Sequence, residues 1–281
     1  THLQRNNRFA RRRMRRIGLL LLLLITAYGT AAYAQAQDQD IVRKELPQSE
    51  INRIIKKVSE NEYAFREALK DYVFTRKAAV STLGMGGQIT GTYRRDSFMT
   101  FNSDGGRFEK ILYSPISTLT DITVTPEDLE DLGGVNPFAL EPSEISQYNF
   151  SYLGVEKIDE LTLYVFDVTP KSIPDPKKSK LRLFTGRVWV DIDDLMIVKS
   201  QGKAVPETKQ NKFPIVETTR AQVDGKYWFP VDARSDDTLV FDNGQVVRLR
   251  MRVKYGDYKI GRTDVKILDD VADPTPTPQK P

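Results

Sequence analysis

Residues 181–204 read LRLFTGRVWVDIDDLMIVKSQGKA, and this stretch decides the fold. Val188, Val190 and Ile192 alternate with Trp189 and Asp191, the two-residue period of a β-strand. Asp193-Asp194 falls where a tight turn belongs, and the apolar run 195–198 follows. With those two residues as the loop, Ile192 faces Leu195, Val190 faces Ile197 and Trp189 faces Val198. Apolar side chains then lie on both faces, whereas a sheet with one wet face alternates apolar with polar. The stretch predicts a sheet that is covered on both sides or holds something in its curve.

Outward from this hairpin the chain reads almost wholly as strands. Residues 72–83, 88–102 and 107–114 form a meander with turns at 84–87 and 104–106. Glycines 84, 86 and 87 lack the spacing of a phosphate-binding loop and read as a hairpin turn. Residues 147–156 pair with 161–170, and 213–223 with 226–235 around Asp224-Gly225. Near the end, Val247, Leu249, Met251, Val253 and Tyr255 alternate with Arg248, Arg250, Arg252 and Lys254. That strand has one dry face and one basic face. The basic face fits a solvated exterior, and also an anion or a membrane headgroup.

Two segments break the β pattern. Residues 47–70 place Ile51, Ile54, Ile55, Val58, Phe65 and Leu69 on one stripe of a helix whose charged side is mixed in sign. Residues 114–148 carry two short helix starts, Thr125-Pro126-Glu127-Asp128 and Glu141-Pro142-Ser143-Glu144, around Gly133-Gly134 and the apolar Phe138-Ala139-Leu140. Such an insertion fits a lid or binding loop, and equally a packed crossover closing one end of the sheet. The total is about ten antiparallel strands, one long helix and one insertion. The predicted fold is mainly β with α: an unclosed antiparallel sheet curved around the helix.

The N-terminus reads as an export signal. Seven arginines precede an apolar run at 17–25, and Ala32-Tyr33-Ala34 gives a cleavage site after Ala34. A start at Met14 gives a tidier signal than one at Thr1. The apolar run is about half of the ~20 residues that a membrane-spanning helix needs. The expected organisation is residues 1–34 signal, 35–46 flexible leader, 47–268 one domain and 269–281 a proline-rich tail, in a periplasmic protein. Seven of the 42 basic residues, and none of the 38 acidic ones, lie in residues 1–34, so the remainder carries net charge −3. The basic balance of the whole chain therefore gives no support to nucleic-acid binding.

Missing residue types exclude several chemistries. There is no cysteine, and the only histidine is His2, inside the signal. Ser-His-Asp and Cys-His catalysis, zinc-thiolate sites and N-acylation at a cysteine are excluded for the mature chain. Asp191, Asp193, Asp194, Asp236 and Asp237 supply carboxylates for a glycosidase-like pair, but turn formation explains aspartates in such places. No nucleophile–base constellation can be named and no cofactor motif is present, so the chain reads as a non-enzyme.

The order helix, strands, insertion, strands resembles the periplasmic outer-membrane lipoprotein carrier family, with its LolA-like fold. The matching stretches are Gly133-Gly134-Val135-Asn136-Pro137-Phe138-Ala139-Leu140, the hairpin Val188-Trp189-Val190-Asp191 with Leu195-Met196-Ile197-Val198, and Lys226-Tyr227-Trp228-Phe229-Pro230. The resemblance implies carriage of lipid or lipoprotein acyl chains, with inner- and outer-membrane lipoprotein-sorting proteins as partners. It implies a hollow lined by Tyr72, Phe74, Phe98, Phe101, Phe166, Trp189 and Trp228, with Phe138 and Leu140 from a lid. Ordinary core packing fits each of these side chains as well. Trp189 belongs to this set if it faces the hollow; if it faces out, Val188, Val190 and Ile192 take its place. An envelope-stress sensor or anti-sigma-type regulator that binds a protein on the same sheet is the alternative.

Overall fold

The computed structural model describes residues 40–102, 106–125, 128, 142, 144–179 and 181–261. The expected signal at 1–34, Phe138 and Leu140 of the expected lid, and the expected tail at 269–281 lie outside the described residues. Helix α1 is Gln48–Leu69. The strands are β1 Tyr72–Leu83, β2 Ile89–Phe101, β3 Arg107–Tyr113, β4 Tyr148–Ile158, β5 Leu161–Pro170, β6 Leu183–Asp191, β7 Ile197–Val205, β8 Val216–Gln222, β9 Trp228–Val240 and β10 Val246–Ile260. They form a single antiparallel sheet in the order β3-β2-β1-β10-β9-β8-β7-β6-β5-β4. The sheet is curved and unclosed, because edge strands β3 and β4 do not pair with each other.

Helix α1 starts just after Pro47, with Glu50 in its first turn and Arg66 in its last, matching the helix dipole at both ends. Ile54, Val58, Glu62 and Phe65 recur at helical spacing and are buried against one face of the sheet, here the inner face. On β10 the predicted alternation holds. Val247, Leu249, Met251, Val253 and Tyr255 are buried, while Arg248, Arg250, Arg252 and Lys254 point outward.

The hairpin at 181–204 differs from its sequence reading in one respect. Val190 pairs with Ile197 as expected, but Trp189 opposes Lys199, because Val198 is bulged out of the ladder. The loop is also longer than two residues. Asp191 Oδ1 accepts from the Asp193 and Asp194 N–H groups at 2.9 and 2.8 Å, and Asp191 N–H donates to Met196 O at 2.9 Å. The aspartate side chain closes a wider turn in which Leu195 takes φ 51°. Both faces are apolar as predicted. Val188 and Val190 lie inside under α1, and Trp189 packs outside with Leu163, Val165 and Val198.

Two further boundaries differ. β9 runs on past Ser235, where the sequence reading ends the strand, to Val240, because Asp236 bonds to Arg250 and Asp237 accepts from Ile215 N–H. Residues 40–46, expected as leader, place Val42 in a bridge to Val155 with bonds of 2.8 and 2.9 Å. Ile41 packs beside the outer cluster around Trp189.

Candidate functional site

Helix α1 covers only part of the inner face. Ile54 and Val58 pack with Phe166, Val168, Val188, Val190 and Ile197 of β5–β7. Further along, Asn61 Nδ2 donates to the carbonyls of Asp194 and Leu195. Glu62, 0% exposed, accepts from one Arg220 nitrogen at 2.9 and 3.0 Å, and from Ile197 N–H at 3.3 Å. The Arg220 guanidinium lies 5.4 Å from the centre of the Phe65 ring. A carboxylate so buried is stable only when paired, so this contact pins the helix to β7 and β8. Phe65 then enters an aromatic group, edge-on to Phe229 at 5.3 Å, with Tyr72 at 4.9 Å and Tyr258 at 4.6 Å from Phe229.

Beside α1 the inner face carries a cavity of about 920 Å³. Its floor is Val80 of β1, Leu249, Met251 and Tyr255 of β10, Ala233 and Leu239 of β9, and Val216 and Thr218 of β8. Leu183, Phe184 and Tyr148 form one wall, and Arg66 borders it from the helix. Two glycines shape that wall. A Cβ on Gly202 would lie 2.5 Å from the Phe184 ring, and one on Gly186 would lie 2.9 Å from it. Their absence lets the ring lie on the sheet. Phe184 N–H donates to the Tyr148 hydroxyl at 3.2 Å, and burial raises the Tyr148 pKa. Thr218 Oγ1, on the floor, is buried without a hydrogen-bond partner among the described residues.

The mouth is polar and its charges are largely matched. It is formed by residues 120–125, Arg182, Lys203 and residues 209–214. Arg182 pairs with Asp128 at 3.1 Å, Lys203 with Glu207 at 3.1 Å and Lys212 with Asp242 at 3.0 Å. Thr125 and Asp128 exchange side-chain and backbone hydrogen bonds, the reciprocal cap expected at the start of the insertion. An apolar hollow with a balanced, wet rim suits the chain of an amphiphile.

Of the nine residues expected to line the hollow, the seven described ones are scattered, and none lines this cavity. Tyr72 and Phe74 belong to the aromatic group away from the cavity, with Phe74 stacked on Tyr258 at 5.2 Å. The Tyr72 hydroxyl donates to Asp224 at 2.5 Å, and burial with this bond pushes its pKa up to about 12. Phe166 lies under α1, and Phe101 lies against the Arg107 guanidinium at 5.1 Å. Phe98 and Trp189 point to the outer face, because each shares its rung with outward residues, Lys110 and Lys199. Trp189 Nε1 donates to Glu156 at 2.6 Å, and Lys199 covers the ring at 4.5 Å. Trp228 is half-buried and donates to Asp194 Oδ2 at 2.9 Å.

An ionic cluster also faces inward, near the β3 edge. Arg76, 1% exposed, and Arg95 both reach Glu109, which also accepts from Ser97. The Arg95 bonds lead in lowering the Glu109 pKa to about 2; burial opposes them, and Ser97 and Arg76 add to them. This cluster ties β3 to β1 and β2. Its sequence signal is weak: Arg95, Ser97 and Glu109 share the inward parity of Tyr93 and Met99.

No family model and no curated protein matches the chain. Three solved structures are similar to it. One is a DUF1329 family protein from Desulfovibrio piger, 14% identical with TM-score 0.36, covering 76% of this chain and 95% of that one. Another is an outer membrane lipoprotein-sorting protein domain from Vibrio parahaemolyticus, 14% identical with TM-score 0.33, covering 73% and 92%. The third is MucB, 11% identical with TM-score 0.27, covering 74% and 94%.

Proposed function

We propose that this protein is a non-enzymatic periplasmic carrier that binds an acyl chain of a lipid or lipoprotein in the inner-face cavity. The observation that carries this reading is the cavity of about 920 Å³, floored by Val80, Leu239, Leu249 and Met251 and left uncovered by α1. Each methylene removed from water contributes about 0.8 kcal/mol, so a handful provides affinity that a partner can reverse. Phe138 and Leu140 of the insertion are proposed to cover the bound chain, and residues 1–34 to direct export. The chemistry is burial of hydrocarbon, with no cofactor and no bond made or broken. Native mass spectrometry and lipid extraction of the purified protein test it. The expected result is a co-purifying acyl lipid, displaced by a fluorescent acyl probe. Ala233→Phe, which fills the floor, should abolish probe uptake; absence of both lipid and probe binding contradicts the reading.

A second reading, a regulator that binds a protein partner, is favoured by the free edge of β3. Ile111, Leu112 and Tyr113 there are about half exposed, and among the described residues no strand pairs with that edge. A stoichiometric protein captured from envelope extracts, with no lipid in the cavity, would favour it.

A further inference from the structure

The outer face of the sheet is charged in a way that the cavity does not explain. Residues directly opposite across a ladder share a face. On one rung Arg94, Ala79, Arg252 and Arg234 follow one another across β2, β1, β10 and β9. On the next, Lys77 and Lys254 are direct partners, with Asp96 and Asp232 at the ends. Those two aspartates are engaged by Arg94 at 2.8 Å and Arg252 at 2.8 Å. Lys77 and Lys254 therefore face each other, and neither has a carboxylate in ion-pair contact among the described residues; the same lack of an ion-pair partner holds for Lys110 of β3 and Arg248 of β10 on other rungs. Like charges placed opposite destabilise a sheet. This face is basic on a chain whose residues after the signal are net acidic.

The basic field has an apolar border. Phe108, 50% exposed, lies two residues from Lys110 on the same face of β3, and Ile116, 93% exposed, follows that strand. We infer that the outer face of β1, β2, β3, β9 and β10 docks on an anionic phospholipid bilayer. Lys77, Lys110, Arg248 and Lys254 meet the phosphates, and Phe108 enters the headgroup boundary. Anionic headgroups relieve the repulsion between the lysines, and each cation near such a surface adds attraction that salt screens. An acidic protein would answer the lysines alone; the exposed aromatic and aliphatic border is what a lipid interface also accepts. The inference is independent of what fills the cavity.

Co-sedimentation of the full chain with vesicles tests it. Binding should occur to phosphatidylcholine vesicles containing phosphatidylglycerol, fail with phosphatidylcholine alone, and weaken as salt rises. The double variant Lys77→Gln/Lys254→Gln should lose more than about tenfold in apparent affinity. Phe108→Ser should lose several-fold, and Lys57→Gln on α1 should bind as wild type. The double variant removes a like-charge contact, so a melting temperature at or above wild type separates lost binding from lost folding. Wild-type indifference to phosphatidylglycerol, or unchanged binding by the double variant, overturns the inference. Retention on polyglutamate without vesicle binding assigns the face to an acidic protein and overturns it equally.

Discussion

The two parts of the inner face have the same kind of floor and different cover. Under α1, Phe166, Val188, Val190 and Ile197 meet Ile54 and Val58, and the apolar surface is consumed by packing within the chain. Beside it, Val80, Leu239, Leu249 and Met251 present similar side chains to a cavity. What separates them is the path of one helix, fixed by the Glu62–Arg220 pair. An apolar residue is a core residue or a site residue here according to where the helix crosses, and not according to its type.

The comparison can be broken or sharpened by substitution, and the largest effect is expected at the boundary. Glu62→Ala leaves Arg220 buried without its partner and should cost about 3–5 kcal/mol in denaturant unfolding. In the covered part, Phe166→Ala should cost about 3–5 kcal/mol. Leu249→Ala already adjoins empty space and should fall at the low end for a leucine, about 2 kcal/mol. Equal costs per atom removed in the two parts would erase the distinction. Gly202→Ala drives a methyl into the Phe184 ring and the Thr185 carbonyl at 2.4 Å. It should cost about 1–3 kcal/mol and narrow the cavity, with reduced acyl-probe uptake as its readout.

Two smaller effects lie outside both parts. Glu109 is held at a pKa of about 2, below the ordinary 4.5, so its contribution is complete above the ordinary value. That contribution is lost as pH falls from about 4.5 through about 2. Glu109→Gln should flatten the acid limb of melting temperature against pH in that window. Asp236→Asn breaks an outer pair whose members are both 61% exposed, and should change stability by no more than about 0.5 kcal/mol.

Much of the fold was legible because strand periodicity is local. The dry and basic faces of β10, the stripe of α1 and the hairpin turn at Gly225 follow from neighbouring residues. The wider turn after Asp191 was not, since it depends on one side chain folding back on its own backbone. The site was less legible. The resemblance implies an aromatic lining, yet a bulge at Val198 fixes the rung of Trp189, and parity places Phe98 on the outer face. Apart from Tyr255, the cavity is floored by small and aliphatic residues, and the dry positions of β10, Leu249, Met251 and Tyr255, were its readable sign. Where α1 crosses the sheet is a tertiary fact, held by a carboxylate and a guanidinium 158 residues apart.

The most direct test of the cavity as an acyl site places a reporter in each part. Phe184→Trp puts an indole in the cavity wall, and Phe166→Trp puts one under the helix. Titration with a brominated fatty acid should quench the tryptophan at position 184 saturably and leave that at 166 unchanged. Equal quenching at both positions, or no saturable quenching at 184, would contradict the account.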